Sequence, residues 1–167
     1  MLLGDDGVGP YVVHLLESRY EFDEGVEVVD LGTPALDLTH RIAGLDAAIF
    51  VDSVASDDPA GTVILYRRGD IVGARPEQRL DPHSPALSEC LMTADMLGTA
   101  PESVLLVGVV GQDYESGGPL SADVRGVVRL AICAVLEELE RLGVGFQERV
   151  SANETKSVLE QLLCASC

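Results

Sequence analysis

Apolar residues recur along this chain in two alternating rhythms. Val8, Val12, Leu15 and Leu16 fall at helical spacing, up to about Arg19. Pro10 sits near the first turn, where its missing N–H has no helical partner to lose. Residues 26–31 read as a short β-branched strand, and residues 35–42 as a short helix entered through Thr33-Pro34. Residues 47–51 are continuously apolar, the pattern of a strand covered on both faces. The turn Asp57-Asp58-Pro59-Ala60-Gly61 precedes a further strand over 62–66. Ser84 and Pro85 open a helix that runs to about Leu97, before Gly98. Residues 104–110 form a second strongly apolar strand. The last strong helix begins near Ser121, carries Val124, Val128, Ala131, Ile132, Val135 and Leu139 on one face, and stops at Gly143. Strands and helices alternating at these lengths predict an α/β fold, a three-layer α/β/α sandwich around a largely parallel sheet. Beyond Gly143 the pattern weakens, so residues 144–167 are expected to be a polar C-terminal tail with at most a short helix over 157–164.

Composition narrows the partners more than the fold. A chain of 167 residues is one domain by length and can bury a real core. It carries 28 acidic and 11 basic residues, a net charge of −17. Such a surface is repelled by nucleic-acid phosphates and by anionic lipid headgroups, so neither is an expected partner. It suits a basic peptide or protein, or serves solubility alone. The start lacks a positively charged segment, and Asp5 and Asp6 interrupt any apolar leader. Residues 104–110 fall far short of the ~20 apolar residues that span a bilayer. No membrane insertion is expected, and the compartment expected is the cytoplasm. The cysteines then read as reduced thiols. Cys90 and Cys133 fit helical core positions; Cys164 and Cys167 form a lone CxxC, weak as a metal or redox signal without a second pair.

The chemistry concentrates at three places. Leu3-Gly4-Asp5-Asp6-Gly7-Val8-Gly9-Pro10 sets two carboxylates in a glycine-rich turn just before the first helix. Asp52 ends the apolar run of residues 47–51, where ligands gather outside the carboxyl ends of parallel strands. His83 stands in Asp81-Pro82-His83-Ser84-Pro85, before another helix. Asp6, Asp52 and His83 together would make a divalent-metal triad. Each also has a plainer reading: Asp5 and Asp6 as caps of the following helix, Asp52 as a turn cap, His83 as a loop residue. His14 and His40 fall on helices, where surface or capping roles are expected. No Gly-x-Ser-x-Gly elbow and no His-Glu-x-x-His helix occurs.

These segments resemble the [NiFe]-hydrogenase maturation endopeptidases. The matching stretches are Gly4-Asp5-Asp6-Gly7-Val8-Gly9-Pro10, Asp30-Leu31-Gly32-Thr33, Phe50-Val51-Asp52-Ser53-Val54, Asp81-Pro82-His83-Ser84 and Leu105-Leu106-Val107-Gly108-Val109, in family order over residues 1–143. The resemblance implies that Asp6, Asp52 and His83 are the metal-recognising and catalytic residues, with Asp5 beside them in support. It makes Gly32 and Thr33 candidates for substrate contact. It implies that Ni²⁺ arrives bound to the substrate, the precursor of a [NiFe]-hydrogenase large subunit, from which a C-terminal peptide is cut. Family members carry a β-strand and a Gly-Asn turn ahead of the Gly-Asp-Asp segment, so the first strand of the sheet is expected to be missing here and the start misassigned. A non-catalytic chaperone or degenerate homologue that holds the precursor is the alternative. A phosphate site at the helix start ranks last, since Asp5 and Asp6 would repel the ligand.

Overall fold

The apolar run Ser103–Val110 lies at the centre of the molecule, buried at every position after its first residue. The computed structural model describes residues 4–32, 38–73, 85–113 and 118–149. A 3-10 turn, Gly4–Gly7, leads into α1 (Val8–Arg19) and the short β1 (Tyr20–Phe22). α2 (Leu38–Ile42), β2 (Ala47–Val54), β3 (Val63–Arg67) and α3 (Arg68–Gly73) follow. Then come α4 (Pro85–Leu97), β4 (Ser103–Val110), α5 (Ala122–Arg141) and β5 (Phe146–Glu148). The order in the main sheet is β2-β4-β3. β2 runs parallel to β4 from Ala47↔Ser103 to Val54↔Val110, and β3 runs antiparallel to it from Val63↔Val109 to Arg67↔Leu105.

Strand periodicity sorts the core into the two halves of a sandwich. Leu105, Val107 and Val109 pack with Val8, Val12 and Leu16 of α1 and with Val124, Val128, Ala131, Ile132, Val135 and Leu139 of α5. Val104, Leu106 and Val110 point the other way, toward Leu38 and Ile42, Ile71, and Leu87, Leu91 and Ala94. Helices therefore cover both faces, as the alternating pattern predicts. α1 sits so close to β2 that a Cβ on Gly9 would lie 2.4 Å from the Val51 carbonyl oxygen, an approach only glycine permits. α4 and α5 end ahead of Gly98 and Gly143, both at positive φ.

Three expectations need correction. Residues 26–31 make no sheet ladder among the described residues; Val28 and Leu31 pack against the two halves of the core without one. β-branched composition favours a half-buried surface and does not supply a pairing partner. The unexpected strand is β1, which pairs antiparallel with β5 through Tyr20↔Glu148 and Phe22↔Phe146. Tyr20, Phe22 and Phe146 form an aromatic cluster there, with ring centroids 6.0–6.3 Å apart. The chain thus stays in the fold past Gly143: Val144 and Phe146 pack against the core, and the Arg149 N–H donates to the Arg19 carbonyl at 2.6 Å. Finally, Cys133 is exposed on α5, while Cys90 is buried as expected. Residues 1–3, on which the expectation of a missing first strand bears, and residues 150–167, with Cys164 and Cys167, lie outside the described residues. Among the described residues no helix is long and apolar enough to cross a membrane.

Candidate functional site

Asp5 and Asp6 are neighbours in sequence with opposite fates. Asp5 is fully buried, and its carboxylate faces the β4–α5 connection. One oxygen, Oδ2, accepts the N–H groups of Gln112 at 3.0 Å and Asp113 at 3.2 Å, and Oδ1 accepts that of Ser121 at 2.7 Å. Its own N–H donates to the Asp113 carbonyl at 2.8 Å. Burial pushes the Asp5 carboxyl up, but the hydrogen bonds from Gln112, Ser121 and Asp113 outweigh it, and the net shift is below the ordinary carboxylate value. Asp5 is therefore a charged strut that ties the 3-10 turn to the start of α5. It does not cap α1, whose N-cap is Gly7, a residue with no side chain to cap with. Sequence reading assigned Asp5 a capping or supporting place and missed the partner, which lies more than a hundred residues away.

With Asp5 turned inward, Asp6 is left toward the end of β2. Its Oδ1 accepts the Ser53 hydroxyl at 3.0 Å. The Ser53 N–H in turn donates to Oδ1 of Asp52 at 2.9 Å. Ser53 is fully buried, so this two-sided bond is a fixed link between the turn carboxylate and the strand-end carboxylate. Strand alternation gives Ser53 the α1 face and Asp52 the opposite one, which is why a single residue can touch both. Sequence reading named Asp6 and Asp52 but not the serine that joins them, although Ser53 stood within the matching stretch.

The other named residues divide. Gly32 takes φ +61 and donates its N–H to Oδ1 of Asp30 at 2.9 Å, an Asx turn that ends the extended segment. Thr33 and His83 lie outside the described residues. Among the described residues no three His, Cys, Asp or Glu side chains form a group able to hold a metal ion. Asp6 and Asp52 supply hard oxygen donors at one strand end. With an imidazole they form a set that nickel, zinc and similar ions accept.

A second charged centre occupies the opposite end of the sheet. Glu138 of α5 is buried, with its side chain 2% exposed. Its Oε2 accepts Arg67 Nη1 at 2.6 Å and Arg141 Nε at 2.9 Å, and its Oε1 accepts Arg141 Nη2 at 2.7 Å. The Arg141 bonds lead, burial opposes, Arg67 adds to the first, and the Glu138 carboxyl falls to about 2. Ser103 starts β4 beside this network, while Asp52 pairs with Gly108. The two centres are thus separated by about 17 Å along the strand.

Comparison with known proteins now settles the family. The profile described as hydrogenase maturation protease matches residues 10–138. The chain belongs to the hydrogenase maturation protease family. It is 30% identical over 144 residues to the hydrogenase 2 maturation protease of Escherichia coli K12, covering 86% of this chain and 88% of that one. It is 29% identical to the hydrogenase expression/formation protein HupD of Rhizobium leguminosarum, over 96% of this chain and 80% of the relative. Among solved structures, the hydrogenase maturating endopeptidase HybD from E. coli superimposes with a TM-score of 0.81 at 28% identity, covering 89% of this chain and 91% of HybD. The α/β fold and the processing-protease family expected from the sequence are therefore both borne out.

Proposed function

We propose that this family member removes the C-terminal peptide from a nickel-loaded [NiFe]-hydrogenase large-subunit precursor, recognising the bound Ni²⁺ through Asp6, Asp52 and His83. The observation that carries the reading is the Ser53 link, which joins two carboxylates at one strand end in a fold shared with HybD. The nickel is substrate cargo: two carboxylates and one imidazole leave coordination positions for the ligands that the precursor brings. What the chain itself contributes is placement. Asp5 holds the turn against α5, Gly9 lets α1 lie on β2, and Ser53 sets the mutual position of Asp6 and Asp52. Gly32 and Thr33 would contact the extended tail of the precursor beside that site.

The test is cleavage of a nickel-loaded precursor by the native chain and by His83→Ala, read by mass spectrometry, with far-UV circular dichroism as the check on folding. Loss of the released peptide with an unchanged spectrum supports the reading, whereas undiminished cleavage removes His83 from it. Binding of the precursor by the native chain without any cleavage would establish the chaperone alternative.

A further inference from the structure

We propose that the open cavity beside Glu138 is a binding site for a carboxylate monoanion, gripped by the guanidinium groups of Arg67, Arg68 and Arg141. The cavity is about 440 Å³ and is lined by these three arginines together with Gly69, Glu102 and Ser103. Three of the eleven basic residues of a strongly acidic chain meet at this one place. Solubility alone gives no reason for that convergence.

The arginines are held in position. Glu138 anchors Arg67 and Arg141, and Arg141 also donates to the Ser103 hydroxyl at 2.7 Å. Arg68 pairs with Asp95. A guanidinium has five N–H donors, and these contacts leave donors over on all three side chains. Most telling is Arg68 Nε, which is buried and has no hydrogen-bond partner among the described residues. A buried donor left unmade is costly, and a ligand oxygen satisfies it once the Arg68 side chain, about a third exposed, turns that edge of its fork toward the cavity. Guanidinium forks match the two oxygens of a carboxylate. Glu138, Asp95 and the lining Glu102 set three carboxylates against the three arginines, so the anion is held by guanidinium N–H donors and not by an excess of positive charge, and one negative charge is the most the site accepts. A dianion would meet Glu102 and the field of the whole acidic chain.

Acetate is the probe, titrated against the full chain as its sodium salt at fixed ionic strength with sodium chloride as balance. The expected result is a rise in melting temperature that reaches about 3–6 °C at ten times Kd and continues with the logarithm of acetate concentration, absent with chloride alone. Saturation transfer from protein protons to the acetate methyl should appear in parallel. Both responses should disappear in Arg68→Ala and survive in weakened form in Arg68→Lys, with circular dichroism confirming that each variant folds. A rise shared equally with chloride, an undiminished response in Arg68→Ala, or a larger rise with phosphate than with acetate would overturn the assignment. None of these readouts depends on precursor cleavage.

Discussion

Asp5 and Glu138 are both buried carboxylates, one at each end of the central sheet, and they are stabilised in different ways. Asp5 is held by three backbone N–H groups and needs no counter-charge. Glu138 is held by two arginine side chains that are themselves about half exposed, at 48% and 53%. A backbone cradle adds no cation beside Asp6 and Asp52. A guanidinium clamp neutralises its carboxylate and spends it on structure. The site end is built from main-chain geometry, and the far end from side-chain charge.

Function should follow that division most sharply. If Asp52 holds nickel as proposed, Asp52→Asn should lower cleavage of a nickel-loaded precursor by at least about 100-fold, since losing a ligand exceeds the 10–100-fold cost of losing a residue that merely supports one. Glu138→Gln, assayed beside it, should cleave within about twofold of the native chain. Equal losses in the two variants would break the contrast between the ends.

Stability should show the strength of the backbone cradle. Asp5→Ala leaves three part-buried N–H groups without their acceptor, each costing up to about 1–3 kcal/mol. We expect a loss of about 3–5 kcal/mol in urea unfolding, among the largest effects available to a single polar residue here. A loss under about 1 kcal/mol would mean that water replaces the carboxylate and that the strut is dispensable.

The same contrast explains what could be read from the sequence. The helical faces of α1 and α5 and the apolar runs of β2 and β4 are periodic, so the layers and the end of the sheet that carries Asp6 and Asp52 were legible. The Gly-Asp-Asp turn was legible too, because glycines beside paired acids are locally unusual. Pairings were not. Asp5 to Gln112, Arg67 to Glu138, and Tyr20 to Glu148 join residues far apart in the chain, and nothing local in either partner marks the other. For the same reason β1 was missed and residues 26–31 were overread: strand composition is a local property, whereas a ladder needs a neighbour.

Acid should separate the two carboxylates less strongly but more specifically. Glu138 is lowered from 4.5 to about 2 in the fold, so its contribution is fully present above pH 4.5 and is lost as the pH falls toward 2. At neutral pH Glu138→Gln should therefore be less stable than the native chain by about 2–3 kcal/mol, after allowing for screening of the half-exposed arginines. The gap should close across that acid window, followed by urea unfolding at stepped pH. A gap independent of pH would show that packing, not charge, makes Glu138 matter.

The smallest expected effect tests the joint inside the site. Ser53→Ala removes the hydroxyl that donates to Asp6 and keeps the N–H that donates to Asp52. A buried bond to a charged acceptor is worth about 1.5–3 kcal/mol, but Asp6 is only part-buried and water can partly replace the donor, so about 1 kcal/mol is expected in stability. Processing should fall by about 3–10-fold, because Asp6 loses its fixed position while both carboxylates remain. The fall should be greater than in a surface substitution of equal stability cost, such as one on the exposed face of α5. If Ser53→Ala cleaves as the native chain does, the backbone cradle around Asp5 alone positions the turn, and the strand-end serine has no part in the reaction.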